Sequence, residues 1–433
     1  MLRTSAAIAA GKALRYAARL RGGGSALPGL VAERIDPQLL ARTLSGVSGG
    51  IVVVSGTNGK TTTTKMLAAI IAAHGKRVFT NPTGSNFTRG VLSAMLGEVG
   101  LRGQLTADVA VLELDEWHAL QFAKLVTPTH ALLLNVARDQ LDRFAEIDTT
   151  AKLLATLAGQ TSGVVVLNRD DSFVFRIAET LPGKEFRYFG IDPDVADRVP
   201  ALHEADARFE ADSAPPAPAP TDGLLHPVDA RDFTIRFGAT DAVGPLSLHQ
   251  RGLAAMVNAT AATTMARAVL GDAFRADATE RALRTVTAPF GRGEVIDVFG
   301  HPLELVLVKN PAGFTVALGT YGSEPVATMI AINDDYADGQ DVSWLYDVSF
   351  ASLREQGVAM TSGVRAYDMA LRLDYDEVLV EQIEPDLAGA LDAFLTAYRG
   401  QPTRIFCTYT AMMALRKLLA ARFGLAGFAQ EGE

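Results

Sequence analysis

A chain of 433 residues, 48% apolar and 21% charged, has room for two or three domains at roughly 100–200 residues each and the make-up of an ordinary α/β globular protein. Its net charge of −9 argues against a general nucleic-acid binder, which needs a basic surface. The single cysteine, Cys407, excludes an intramolecular disulfide and any multi-cysteine zinc site, and fits a reducing cytoplasm.

The first 24 residues carry Arg3, Lys12, Arg15, Arg19 and Arg21 spread among short apolar stretches. A secretory signal keeps its charge ahead of an unbroken apolar core, which this segment lacks. Three readings stay open: a helix folded onto the body, a basic amphipathic helix resting on anionic lipid, and a transit peptide. No run reaches the roughly 18 apolar residues of a membrane-spanning helix. Ile51–Val54 reads as a short β-branched strand. Thr62–His74, with Met66, Leu67, Ile70 and Ile71 at helical spacing, reads as a helix stopped by Gly75 and Lys76. Strand-like runs follow at Val78–Thr80, Val109–Leu114, Ala131–Asn135 and Val164–Asn168. The intervening stretches are long enough for crossover helices, which predicts a parallel sheet.

Residues 191–223 are acidic, and Ser213-Ala-Pro-Pro-Ala-Pro-Ala-Pro reads as a semi-rigid loop or linker. Regular structure resumes near Phe233, and Leu253–Val269 is Ala-rich and helical. A second α/β series has strands expected at Glu304–Val308, Ala327–Ile332, Glu377–Val380 and Arg404–Cys407. Its helices are expected at Arg365–Leu373, Leu387–Tyr398 and Ala411–Arg422. A boundary near 293–300 gives a helical lead-in over 1–48, a central domain over 49–295 and a C-terminal α/β domain over 296–433.

The run Gly56-Thr57-Asn58-Gly59-Lys60-Thr61-Thr62 joins the first strand to the first helix of the central domain. Glycines there let backbone N–H groups face phosphate oxygens, and the helix start adds partial positive charge. Lys60 is expected to reach the β- and γ-phosphates of a nucleotide, and the Thr61 hydroxyl to bind Mg²⁺. Val54 stands where the full Walker pattern has its first glycine. Glu113-Leu-Asp115-Glu116 ends an apolar strand, so its carboxylates should emerge at the sheet's C-terminal edge beside that loop. Carboxylate oxygens are the hard ligands Mg²⁺ prefers.

The shortened loop Gly-Thr-x-Gly-Lys-Thr resembles that of the Mur ligase and folylpolyglutamate synthetase superfamily. The resemblance implies an α/β fold: a Mur ligase-like central phosphate-loop domain with a parallel sheet, then a smaller Rossmann-like domain. It implies that ATP phosphorylates a carboxylate and that an amine attacks the acyl phosphate. Glu113 matches the family's Mg²⁺-binding glutamate. Asn135-Val-Ala-Arg138-Asp139-Gln140-Leu-Asp142 is similar to Asn-x-x-x-Asp-His-Leu-Asp, whose histidine binds a second metal; Gln140 replaces it here. Asn168-Arg-Asp170-Asp171 resembles an Asn-x-Asp-Asp turn at the nucleotide or the domain junction. Asn258 falls where relatives hold the adenine, with Ala255 replacing that motif's first asparagine. Gly291-Arg292-Gly293-Glu294 resembles the Gly-Arg-x-Glu that closes the central domain, which assigns Arg292 to phosphoryl charge. Lys152 lies about where amino-acid-adding relatives carry a carbamylated lysine; the plainer reading is an ordinary helix lysine.

Val308-Lys309-Asn310-Pro311-Ala312-Gly313, the run from Asn333 through Asp338, Gly339, Asp341, Ser343 and Trp344 to Asp347, Gly363-Val-Arg365-Ala-Tyr367-Asp368 and Thr408-Tyr409-Thr410-Ala411-Met412 resemble the MurT family. So does Thr83-Gly84-Ser85-Asn86. Members are ligase subunits of lipid II isoglutaminyl synthase and pair with a glutaminase subunit, GatD, that supplies ammonia. The resemblance implies ATP-dependent amidation of the α-carboxylate of D-glutamate in the lipid II stem peptide, in the cytoplasm or at the inner face of its membrane. It assigns Asp341 the completion of the partner's Cys-His-Asp arrangement, with Asp347 the less favoured candidate. A turn or helix-cap aspartate is the plainer alternative for Asp341. Some members insert a four-cysteine zinc ribbon after the segment matching Tyr188-Phe189-Gly190; acidic and Pro-rich sequence stands there instead, so no structural zinc is expected. Two other functions compete: a standalone Mur or folylpolyglutamate-type amino-acid ligase, and a regulatory nucleotide-binding protein.

Overall fold

The computed structural model describes residues 2–20, 27–81, 86–137, 147–199, 215–322 and 324–425. The chain divides into two units, one of residues 1–136, 148–249 and 254–286, the other of 137–147, 250–253 and 287–433.

The first unit opens with helices α1 (Leu2–Leu20), α2 (Leu27–Ile35) and α3 (Leu39–Leu44). Then follow β1 (Ile51–Ser55), α4 (Lys60–Ala73), β2 (Val78–Thr80), α5 (Thr88–Glu98), β3 (Val109–Glu113), α6 (Glu116–Ala123), β4 (His130–Leu133), α7 (Ile147–Gln160) and β5 (Val165–Asn168). After α8 (Ser172–Phe175) come β6 (Phe186–Ile191), β7 (Gly223–Pro227), β8 (Asp232–Phe237), β9 (Asp241–Ser247), α9 (Leu253–Leu270) and α10 (Ala276–Thr285). The nine strands form one sheet in the order β2-β3-β1-β4-β5-β6-β7-β8-β9, parallel through β7 and antiparallel beyond. Every residue of β1, β3 and β5 is buried, as strands covered on both faces require. Strand β1 lies between β3 and β4, with Val54 opposite Glu113 and Ser55 opposite Leu133. The chain runs to one side of β1 and then to the other, which opens a crevice beyond its C-terminal end.

Of the readings open for the N-terminus, packing on the body describes α1 as observed. Ala7 and Ile8 are buried, and a side chain at Gly11 would run into Leu96 of α5. Helix α9 is, among the described residues, the helix long and apolar enough to cross a membrane, but 61% of that window is buried in the unit. Its hydroxyls turn inward: Thr260, Thr263 and Thr264 each donate to a carbonyl four residues back, at 2.8–2.9 Å.

The second unit carries β10 (Arg292–Val298), β11 (His301–Leu307), α11 (Pro311–Tyr321), β12 (Ala327–Ala331), β13 (Val358–Ser362), α12 (Ala366–Tyr375), β14 (Val380–Glu384), α13 (Leu387–Ala397), β15 (Thr403–Cys407) and α14 (Tyr409–Phe423). Its sheet runs β10-β11-β15-β12-β13-β14, parallel except for the β10–β11 hairpin. Two apolar clusters fill its faces, one centred on Leu303, Met329, Phe394 and Leu415, the other on Phe314, Ile330, Phe350 and Phe406. This unit's main run starts at Thr287, so a boundary at 295/296 would cut through β10. The hairpin turns on Phe299 and Gly300, both at positive φ (55° and 85°); Phe-Gly lacks the Asn-Gly or Asp-Gly signature of such a turn.

Candidate functional site

Strand β1 ends at Ser55, and the next four residues turn tightly into α4. Gly56 and Gly59 adopt φ of 129° and 86°, open to glycine and strained for other residues. A Cβ at Gly56 would stand 2.9 Å from the Asn135 nitrogen, and one at Gly59 2.4 Å from Oδ1 of Asn258. The loop is therefore a bare-backbone cradle, which fits a phosphate group. Asn135, just past β4, braces it: Thr57 N donates to its carbonyl (2.9 Å), Asn58 N donates to its Oδ1 (2.8 Å), and its Nδ2 donates back to Asn58 O (3.0 Å).

Nζ of Lys60 donates to the carbonyls of Gly56 and of Thr57 (3.2 Å) and stands 3.9 Å from Glu116. The Thr61 hydroxyl donates to Oε1 of Glu113 at 2.9 Å, with both residues buried. Thr57 and Thr62 are buried as well. Asn81, after β2, holds the end of β3, its Nδ2 donating to Glu113 O (2.8 Å) and its Oδ1 accepting from Glu113 N (2.9 Å). Asp115 caps α6 by accepting from Trp117 N. Glycines, lysine, threonine and glutamate predicted to act together thus meet at one edge of the sheet, with Asn258 against Gly59. The bracing by Asn81 and Asn135 carries no mark of its own in the sequence, although Asn135 heads the segment resembling Asn-x-x-x-Asp-His-Leu-Asp and Asn81 directly follows β2.

Asn168-Arg-Asp170-Asp171 is a backbone clamp. Asn168 Nδ2 donates to Leu134 O (2.8 Å), and Asp170 accepts from Ile191 N (2.7 Å). Asp171 caps α8, accepting from Phe173 N and Val174 N, and takes Val136 N at 2.8 Å. Burial pushes its carboxyl up to about 6 against those three donors. Lys152 is exposed on α7. Gln140, with Arg138, Asp139 and Asp142, lies outside the described residues, as do Thr83, Gly84 and Ser85.

In the second unit Arg292 begins β10, and its carbonyl accepts from Gln250 Nε2 (2.8 Å). Glu294 accepts from Gly291 N (3.0 Å) and pairs with the buried Arg416 of α14 (2.9 Å). Asp341 is exposed and accepts from Ser343 N at 2.8 Å ahead of a short turn, Ser343–Asp347. Hydrogen bonds from Ser343 hold its carboxyl below the usual carboxylate range. Its loop is anchored by Asp338, which accepts from Thr410 N at 2.8 Å, and by Asn333, whose Nδ2 donates to Thr410 Oγ1 at 3.0 Å. Asp347 ends the turn and is exposed.

Two family models match the chain, the Mur ligase middle domain over residues 54–213 and the MurT ligase C-terminal domain over 307–412. The lipid II isoglutaminyl synthase (glutamine-hydrolyzing) subunit MurT of Streptococcus pneumoniae is 28% identical across 97% of this chain and 98% of its own length. Its Staphylococcus aureus counterpart is 27% identical across 98% and 99%. The fold is shared with the MurF ligase of Thermotoga maritima in complex with ADP, at a TM-score of 0.62 and 15% identity over 89% of this chain and 84% of that one. The chain belongs to the Mur ligase superfamily and, within it, is a MurT-type ligase subunit.

Proposed function

We propose that this ligase converts the α-carboxylate of D-glutamate in the lipid II stem peptide to the amide. The observation that carries the chemistry is the buried Thr61–Glu113 hydrogen bond beside Lys60 at the mouth of a bare-backbone loop. Full-length similarity to lipid II isoglutaminyl synthase subunits supports the substrate. In this reading Gly56, Thr57, Asn58, Gly59 and Thr62 supply the cradle for ATP, Lys60 meets its outer phosphates, and Thr61 and Glu113 hold Mg²⁺. By the family resemblance Asn258 would hold the adenine, Arg292 would meet phosphoryl charge, and Gln140 would stand in place of the histidine that binds a second ion in relatives. Held there by Thr61 and Glu113, a Mg²⁺ would supply charge neutralisation for transfer of the terminal phosphoryl group to the carboxylate. Ammonia then displaces phosphate from the acyl phosphate.

The ammonia comes from a GatD-type glutaminase partner, and Asp341 orients that partner's catalytic histidine. Its exposure and ionisation suit a carboxylate offered to another chain. The test is amidation of lipid II by this chain with a class I glutaminase, driven by glutamine or by ammonium salt. Asp341→Asn is expected to lower glutamine-driven turnover by about 10²-fold or more and to spare the ammonium-driven reaction. Equal loss of both would remove Asp341 from that role. Addition of a whole amino acid instead of ammonia would replace the reading with that of a standalone ligase.

A further inference from the structure

We propose that Glu116 is the resting counter-charge of Lys60 and, by competing for its ammonium, sets how tightly the phosphate loop takes nucleotide. The proposal rests on the reading of that loop given above. Glu116 opens α6 immediately after the Asp115 cap, and it is 5% exposed. Its Oε1 stands 3.9 Å from the Lys60 ammonium, with the two side chains 6% and 11% exposed. That ammonium is folded back over its own loop, donating to the carbonyls of Gly56 and Thr57. Burying an ammonium without an opposite charge is costly, and Glu116 supplies the charge.

A phosphate entering the loop changes this balance. Its oxygens need the donors now spent on the two carbonyls, and must draw the ammonium from the field of Glu116. Through Lys60, the carboxylate therefore stabilises the empty loop relative to the filled one. Glu113 acts differently, because the Thr61 hydroxyl holds it. Glu116 is thus a positioning residue with a testable sign: neutralising it should tighten binding, whereas loss of a merely structural carboxylate would weaken it.

The experiment is an equilibrium titration of the full chain with ADP and Mg²⁺, which needs no turnover. Glu116→Gln keeps the shape and removes the charge; it is expected to tighten ADP binding about tenfold, or ~1.4 kcal/mol. In a Lys60→Gln background the same change should gain less than about threefold, because there is no ammonium left to compete for. Unchanged or weaker ADP binding by Glu116→Gln overturns the proposal, and so does an undiminished gain without Lys60. Should Glu116→Gln not fold, Glu116→Asp, which draws the carboxylate back from Nζ, is read instead: tighter binding supports the proposal and equal or weaker binding overturns it. Lys60→Gln alone separates the premises. If it binds ADP as well as the parent chain, the phosphate-loop reading fails, not merely the role of Glu116.

Discussion

Gly59 shows how much of the site is decided by single atoms. At φ of 86° an alanine costs roughly 1–2 kcal/mol of backbone strain, and its Cβ would land 2.4 Å from Oδ1 of Asn258. The amide is the movable end of a side chain, so the fold survives and the local arrangement shifts. Gly59→Ala is expected to weaken ADP binding by about tenfold while lowering the melting temperature only slightly. Unchanged ADP affinity in a folded variant would show that Asn258 and the loop are not coupled. At this scale the sequence was informative where chemistry is tied to a motif: Lys60, Thr61 and Glu113 converge as their types and spacing predict. It was uninformative about how Asn81 and Asn135 brace the loop, because their partners are backbone groups of other segments, and no spacing reports those.

Elements were legible where burial makes a strand uniformly apolar. The runs at Ile51, Val109 and Val165 announce β1, β3 and β5, since both faces of each are covered. Edge strand β14 was expected at Glu377–Val380 and lies at Val380–Glu384. Glu377 instead closes the turn after α12 at φ 58°, and the exposed Glu381 and Gln382 hide the strand's apolar pattern. Similar mixing at β8 and β9, half-covered antiparallel strands, left them unassigned. Strand entry also depends on charge. Arg77, before β2, pairs with Asp108, before β3, at 2.8 Å. Hydrogen bonds from Arg77 hold the Asp108 carboxyl down at about 2, against an ordinary 3.8. A depressed acid contributes stability that is present above its unfolded value and lost as pH falls through its folded one, here between about pH 4 and 2. Asp108→Asn should therefore flatten the fall in stability across that window, measured by denaturant unfolding at each pH. An acid limb as steep as that of the parent chain would mean that other carboxylates carry it.

Among the described residues, the second unit holds a partly buried cluster of two arginines and two glutamates. Glu304 on β11 sits directly opposite Arg404 on β15. Arg404, fully buried, pairs with Glu304 (2.8 Å) and Glu324 (3.1 Å) and donates to Tyr321 O. Arg251 pairs with the same two glutamates and stacks with Arg404 on Tyr321. It comes from residues 250–253, the segment that returns the chain to the first unit. Two cations on two carboxylates give a balanced set, but the members are not equivalent. Breaking a buried pair costs roughly 3–5 kcal/mol because a charge is stranded, and Arg251 remains to shield the glutamates when Arg404 is lost. Arg404→Met is therefore placed at the low end, about 3 kcal/mol. Arg251, 22% exposed, is screened by water, so Arg251→Met should cost about 1 kcal/mol. Hydrogen exchange reads both by location. Arg404→Met should lower protection across Thr403–Cys407 by about 10²-fold, since 1.4 kcal/mol is a factor of ten, and leave Ile51–Ser55 near its parent value. Equal losses from the two substitutions, or a loss spread evenly over both sheets, would mean that the cluster does not anchor the second unit as its burial implies.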